Sequence, residues 1–186
     1  MAAIQLPDGQ EMQVAEGTTI GEIAARLGPG LAKSALAAKF NGELVDLRFP
    51  IKEDGSVEIL TDMNEEALEV VRHSAAHLMA HAVKELFPET QVTIGPAIDT
   101  GFYYDFDAPV SFNDEALQNI EKRMQELVQR DFDITREKLA RQEAMERFRQ
   151  MGEHYKVELL EEMPESEVTI YHQGEFQDLC RGPHVP

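Results

Sequence analysis

The sequence contains very little cysteine and few basic residues, and both shortages limit what the protein can be. Cys180 is the only cysteine among 186 residues, so no disulfide can form within the chain, which fits a reducing compartment. Lysine and arginine number 17 against 35 acidic residues, and the net charge of −18 argues against tight nucleic-acid binding through overall charge. Any contact with RNA must therefore use a local site, or basic surface outside this chain.

Long apolar runs and a targeting segment are also missing. No stretch approaches the roughly 20 consecutive apolar residues of a membrane span, and residues 1–10 hold neither a basic start nor an apolar run. We therefore expect a soluble, cytoplasmic protein that has no membrane partner. The apolar fraction of 42% matches that of ordinary globular proteins, and the length allows one or two domains.

Residues 1–62 show the pattern of a small domain. Short strands are paired across the turn-forming dipeptides Asp8-Gly9 and Asn41-Gly42, and a helix capped by Thr18 or Thr19 ends at Gly28. A helix packed across a small mixed sheet covers the single apolar face of that sheet. The pattern predicts a ubiquitin-like β-grasp domain, although other small α+β domains would share it. The predicted strands are Ala3–Leu6, Met12–Val14, Ala35–Phe40, Glu43–Val45 and Ser56–Leu60.

Residues 63–186 predict a second domain of the α+β class, in which a long helix packs on an antiparallel sheet. Apolar residues recur every three or four positions from Asn64 to Phe87, including Leu68 and Val71, and Pro88 ends this helix. Residues 155–160 are compatible with either a helix or a strand. The other predicted helices are 114–130 and 141–151, and the predicted strands are 91–94, 101–106, 134–138, 168–172 and 175–179.

Two pairs of residues carry the chemistry that the sequence suggests. His73 and His77 are four residues apart on the long helix and can present two imidazoles to one small volume, whereas His81 is turned away by the helical drift. Cys180 and His184 flank a Gly-Pro loop near the end of the chain. Two imidazoles, a thiol and a third imidazole suit tetrahedral zinc. The same groups can also activate or position water without a metal, because the pKa of imidazole lies near neutrality.

Three further positions can add polar groups to such a site. Lys156 is compatible with a catalytic role or with an ordinary surface lysine. Asp178 would share a strand face with Cys180 and could hold an amine or a histidine. Of Tyr103 and Tyr104, we expect one to pack in the interior and the other to offer its hydroxyl to a pocket.

The motifs, taken in order, resemble the N-terminal region of bacterial threonyl-tRNA synthetases. Residues 1–62 resemble the TGS domain of that family, and residues 63–186 resemble its editing domain. The resemblance covers essentially the whole chain. The motifs that carry it are Leu6-Pro7-Asp8-Gly9, Gly28-Pro29-Gly30-Leu31-Ala32, Asn41-Gly42-Glu43-Leu44-Val45, His73-Ser74-Ala75-Ala76-His77, Gly95-Pro96, Gly101-Phe102-Tyr103-Tyr104-Asp105, Gly152-Glu153 with Tyr155-Lys156, and Cys180-Arg181-Gly182-Pro183-His184.

The resemblance implies proofreading: hydrolysis of the ester in serine-charged threonine tRNA, an aminoacyl-tRNA deacylase activity. Serine and threonine differ by one methyl group, and a pocket gains only about 1–3 kcal/mol from such a group, so a second site must remove serine. By the same resemblance, His73 activates water and Lys156 is a second catalytic group. The residues implied to bind substrate are His77, Tyr104, Asp178, Cys180 and His184.

The family also sets expectations for cofactors and partners. It implies no metal in the editing site, although zinc at His73, His77, Cys180 and His184 is the alternative, as in related alanyl-tRNA editing domains. The expected partners are the acceptor end of threonine tRNA carrying serine and the rest of a synthetase. We expect the editing domain to be truncated at its C-terminus, and the ATP and zinc sites of the full enzyme to lie outside this chain.

Two other functions remain open at this stage. One is a zinc-dependent aminoacyl-tRNA deacylase that acts on another amino acid. The other is a non-catalytic regulatory module, since TGS-like domains also occur in regulatory proteins. The second alternative leaves the histidine and cysteine pairs unexplained, and it would be favoured if His73 and Cys180 were far apart.

Overall fold

A computed structural model describes all residues, 1–186, and divides them into two compact units. The first unit contains Met1–Val71 together with Gly182–Pro186, and the second contains Arg72–Arg181. Both helices and antiparallel strand pairs are present, as expected for the α+β class. No helix combines the length and the apolar content needed to cross a membrane.

The first unit contains a five-stranded mixed sheet in the order β2-β1-β5-β3-β4. β1 and β5 are parallel, and every other neighbouring pair is antiparallel, which is the pattern expected of a β-grasp domain. The helices α1 (Ile20–Leu27) and α2 (Pro29–Ser34) lie between β2 and β3 in the chain. The strands are β1 (Ala2–Gln5), β2 (Glu11–Val14), β3 (Ala35–Phe40), β4 (Glu43–Val45) and β5 (Gly55–Thr61).

The helix α1 is capped by Thr19, one of the two threonines that the sequence indicated, and it ends at Gly28 as expected. Thr19 and Glu22 form a reciprocal capping box, in which the Thr19 side chain accepts from the Glu22 amide and the Glu22 carboxylate accepts from the Thr19 amide. Gly28 follows the last residue of the helix. Ile20 and Ile23 are fully buried in the core of this unit with Ile4 and other apolar side chains of the sheet. The short helix α2 was not predicted.

The long helix α3 (Glu65–Leu86) begins in the first unit and continues through the second. Within the second unit, Ala76 and Ala80 pack with Phe176, so this part of the helix lies on the antiparallel sheet as expected. That sheet has the order β10-β11-β12, with β10 (Ile134–Ala140), β11 (Glu167–Gln173) and β12 (Phe176–Leu179). The remaining helices are α4 (Asp114–Gln129), α5 (Arg141–Met151) and α6 (His154–Glu162).

The segment between α3 and α4 departs from the sequence prediction. The expected strand at 91–94 is a two-residue strand, and the expected strand at 101–106 is interrupted. Two short ladders result, one pairing β6 with β9 and the other pairing β7 with β8. Residues 155–160, for which helix and strand were both open, are helical and belong to α6. The short strands are β6 (Gln91–Val92), β7 (Ala97–Ile98), β8 (Gly101–Phe102) and β9 (Phe106–Asp107).

Candidate functional site

The two histidines of α3 lie next to the single cysteine. The ring centroids of His73 and His77 are 4.9 Å apart, as expected for residues one helical turn apart. The Nε2 atom of His73 lies 2.9 Å from the Sγ atom of Cys180, which follows β12. The ligand atoms of these three residues all lie within 4.8 Å of one another. The prediction that the helix and the end of β12 share one site is therefore confirmed for these three residues.

His77 connects this cluster to a buried carboxylate. Its Nε2 atom lies 3.6 Å from Oδ2 of Asp178, a residue that is 1% exposed. Burial lowers the pKa of His77 well below the usual value, and the nearby His73 and Lys156 lower this pKa further. His77 is therefore a neutral imidazole at physiological pH, able to donate one hydrogen bond and accept another.

Lys156 and Tyr104 are the other partners of Asp178. The Lys156 Nζ atom lies 2.6 Å from Oδ1, and the Tyr104 hydroxyl donates to Oδ2 over 2.7 Å. Lys156 also donates to the carbonyl of Thr93 over 2.5 Å, and it lies 3.3 Å from the Tyr104 oxygen. Burial raises the pKa of Tyr104 well above its usual value, and the neighbouring Asp178 carboxylate raises it further. This tyrosine is therefore a hydrogen-bond donor and not a phenolate.

Local structure explains how each of these side chains reaches the site. Lys156 is in the first turn of α6. This helix begins two residues after Gly152, the αL residue that caps α5. The buried Glu153 lies between them and accepts a hydrogen bond from the Val92 amide. It also forms an ion pair with Lys84 of α3, in which Nζ and Oε1 are 2.6 Å apart. These contacts fix the start of α6, and thereby the position of the Lys156 ammonium group.

Two sequence alternatives are resolved by burial. Lys156 is 2% exposed, so the reading of it as an ordinary surface lysine is wrong. The expected division between the two tyrosines is wrong, because Tyr104 is both buried, at 8% exposed, and the donor to Asp178, whereas Tyr103 is 45% exposed. His81 stacks on Phe176 at a centroid distance of 5.2 Å and lies near Glu85, so its ring has a different environment from the other two helical histidines.

Sequence reasoning did not single out several residues that shape this site. Lys84 and Phe176 carried no recognised role, Glu153 was noted only as part of a motif, and the carbonyl of Thr93 carries no side-chain signal at all. Gly95 was noted only as part of a motif, although a Cβ atom there would lie 2.1 Å from Cδ2 of Tyr104. His184 is buried in the Gly182–Pro186 segment of the first unit, and its role remains a prediction.

The donor types suit zinc, but their spacing favours a direct hydrogen bond. Two ligands of a tetrahedral zinc ion, each about 2.0–2.3 Å from the metal, are separated by about 3.5 Å. The His73 nitrogen and the Cys180 sulfur are 2.9 Å apart, which is a hydrogen-bonding distance. The buried Lys156 ammonium group also disfavours further positive charge near His77. His73, His77 and Cys180 could also hold a metal ion, so the metal-free site remains a prediction.

Comparison with known proteins agrees with the motifs. Residues 3–61 match the family model described as TGS domain. A threonine--tRNA ligase of Pelobacter propionicus is 55% identical over 184 residues, which cover 99% of this chain and 29% of that protein. A threonine--tRNA ligase of Burkholderia lata is 54% identical over 187 residues, again covering 29% of its length. The chain therefore contains a TGS domain and is related, over its whole length, to the N-terminal region of threonine--tRNA ligases.

Proposed function

We propose that this chain hydrolyses the ester bond of threonine tRNA mischarged with serine. The observation that carries the proposal is the contact between His73 and Cys180, with a Nε2–Sγ distance of 2.9 Å. It places an imidazole of α3 beside the end of β12, next to a buried lysine and carboxylate pair. The relatives are threonine--tRNA ligases, so an aminoacylated tRNA is the natural substrate class.

His73 and Lys156 can take different roles in ester hydrolysis. His73 is the candidate general base, which takes a proton from water as the water oxygen attacks the ester carbon. The ester C–O bond then breaks, and the ribose oxygen leaves with a proton. The buried Lys156 ammonium group can stabilise the negative oxygen of the tetrahedral intermediate, where positioned charge contributes most to rate. The expected discrimination against threonine comes from steric conflict with its additional methyl group.

The other predicted residues bind rather than react. His77 is neutral and can donate a hydrogen bond to substrate or hold water, because burial keeps its pKa low. Asp178 and Tyr104 form a fixed, buried acceptor and donor pair that can contact the amino acid or the terminal adenosine. Cys180 borders the same site through its contact with His73. We propose that His184 is also a substrate-binding residue.

The central test is release of serine from serine-charged threonine tRNA by the purified chain. Replacing His73 with alanine should lower the rate by about 100-fold or more, since general base catalysis typically contributes that much. The matched control is His154→Ala, which removes an exposed histidine of α6. The proposal fails if the unaltered chain releases no serine, or if the His73→Ala variant is as fast as the His154→Ala variant.

Two further measurements distinguish the zinc-dependent alternative. Deacylation of seryl-, alanyl- and threonyl-tRNA should be fastest for the seryl ester, and the threonyl ester should remain intact. Protein purified without a chelator should contain no stoichiometric zinc. One tightly bound zinc per chain, together with a preference for alanyl-tRNA, would support a metal-dependent deacylase instead.

A further inference from the structure

A groove of about 520 Å³ opens beside this site in the second unit. Apolar residues that line it include Ile94, Leu159 and Met163, and charged residues line it as well. Cys180 lines the groove and also contacts His73, so the groove is continuous with the proposed ester-binding site. A ligand held with its reactive end at His73 can therefore extend into the groove.

The register of the sheet places two cations of β10 on the face that carries the site. Arg136 lies opposite Tyr171 of β11, which lies opposite Asp178 of β12, so these three side chains share one face of the sheet. Lys138 lies opposite Thr169 on the same face. Since neighbouring strands are about 4.8 Å apart, the backbone of Arg136 lies about 10 Å from that of Asp178.

The groove carries local positive charge in a strongly acidic chain. Three cations (Arg136, Lys138 and Arg181) and two acidic residues (Glu165 and Glu167) line it, although the net charge of the whole chain is −18. Arg136 has no carboxylate within ion-pairing distance. Lys138 pairs with Glu167 over 2.7 Å and Arg181 pairs with Glu165 over 2.9 Å, but all four of these side chains are at least 43% exposed.

Exposed ion pairs of this kind contribute little stability, so another anion can replace the carboxylates at small cost. Phosphate groups are the anions that arginine and lysine bind in this way. The apolar residues of the groove can contact a base or a sugar at the same time. A groove lined by both cations and apolar side chains is the arrangement expected for an unpaired stretch of RNA.

We infer that the groove binds the unpaired nucleotides that precede the terminal adenosine of the tRNA acceptor end. This inference rests on the proposed function, because that function fixes the position of the esterified adenosine. It goes further in assigning Arg136 and Lys138 to the phosphates of the preceding nucleotides. This assignment also explains how an acidic chain can bind the end of an RNA. The cations that bind the phosphates are confined to the groove, which lies beside the reacting ester.

The test uses two non-hydrolysable ligands, each with serine joined by an amide to 3′-amino-3′-deoxyadenosine. One is the single nucleoside, and the other is a four-nucleotide RNA that ends in the same modified adenosine. The RNA should bind the purified chain about tenfold or more tighter than the nucleoside, which is a change of about 1.4 kcal/mol or more. The double variant Arg136→Ala/Lys138→Ala should lose this advantage and still bind the nucleoside normally.

The salt dependence provides a second readout. The slope of log affinity against log salt for the RNA ligand should fall by about 0.7 for each cation removed. The matched control is Lys122→Ala/Arg149→Ala, which removes two exposed cations of α4 and α5 outside the groove. Equal binding of the two ligands, or equal weakening of RNA binding by the control variant, would overturn the assignment.

The outcomes also separate this inference from the proposed function. If neither serine-bearing ligand binds better than the same ligand without serine, the ester-binding proposal fails. The groove is then still tested by the four-nucleotide RNA without serine, and the affinity of the chain for this RNA should depend on Arg136 and Lys138. If the seryl nucleoside binds and the preceding nucleotides add nothing, the groove inference alone is wrong.

Discussion

Replacing Gly95 with alanine should disturb the buried network without removing any of its polar groups. The added Cβ atom would lie 2.1 Å from Cδ2 and 2.6 Å from Cε2 of Tyr104, well inside van der Waals contact. The Tyr104 ring stacks on Phe106 at a centroid distance of 4.9 Å, which limits how easily it can move aside. The ring must therefore shift, and its hydroxyl must move relative to Asp178.

The size of the effect follows from two separate contributions. Overpacking a well-filled interior costs about 1–3 kcal/mol of folding free energy. Loss of the 2.7 Å hydrogen bond to the Asp178 carboxylate removes about 1.5–3 kcal/mol, because one partner is charged. If that bond supports the reacting geometry, deacylation should slow by about tenfold to 100-fold, since each 1.36 kcal/mol corresponds to a factor of ten.

The assay compares deacylation rates and urea midpoints for Gly95→Ala and three further variants. Gly101→Ala is the control, because a Cβ atom there would meet nothing within 4 Å. Tyr104→Phe removes the hydroxyl without adding bulk. The double variant Gly95→Ala/Tyr104→Phe should be little slower than Gly95→Ala alone, because both changes act on one interaction. A Gly95→Ala variant with the rate and stability of the unaltered chain would refute this reasoning.

Two predictions concern stability. Lys84→Met should lower the free energy of unfolding by about 3–5 kcal/mol in urea titrations, because it leaves the buried Glu153 carboxylate without its cation; a loss below 1 kcal/mol would contradict this. The Arg147 hydrogen bond lowers the pKa of Glu137 from 4.5 to about 2. The stability from this carboxylate is therefore fully present above pH 4.5 and lost as pH falls to about 2. Acid titrations of Glu137→Gln should lack this part of the decline, and identical profiles for both proteins would argue against it.

The first unit could be predicted well because short local signals determine it. Asp8-Gly9 and Asn41-Gly42 mark the turns, and Thr18 or Thr19 marks the start of α1; the structure confirms these elements and identifies Thr19 as the cap. The helix α2 was missed because none of its six residues is buried. It therefore has no apolar periodicity that sequence reasoning could detect.

The packing face of α3 was harder to predict. The sequence favoured a stripe that runs from Leu68 and Val71 to Ala82. Ala82 is buried in a core cluster as expected, but Leu68 and Val71 are 45% and 37% exposed. In the second unit, Ala76 and Ala80 instead contact the sheet side chains. Alanine contributes little to a hydrophobic pattern, yet its small side chain allows close approach of a helix to a sheet. A hydropathy pattern therefore favours large residues even where packing selects small ones.

The site was predictable where spacing on one element determines position. His73 and His77 are one helical turn apart, and Asp178 and Cys180 are two positions apart in the chain, so both pairs could be proposed directly. Lys156 could not be assigned in this way, because its burial depends on Glu153, Lys84 and the turn between α5 and α6. Those contacts join distant parts of the chain and leave no local pattern.

The short ladders between α3 and α4 have a consequence for access to the site. β6 pairs with β9, and β7 with β8, through two residue pairs each, whereas β10 and β11 pair through seven. Thr93, Gly95 and Tyr104 therefore lie in a segment whose ladders are shorter than the ladder between β10 and β11. The free energy of local opening in this segment is far smaller than that of global unfolding. The amide protons of residues 91–107 should therefore exchange with solvent sooner than those of β11. We therefore expect this segment to open locally while the three-stranded sheet stays paired.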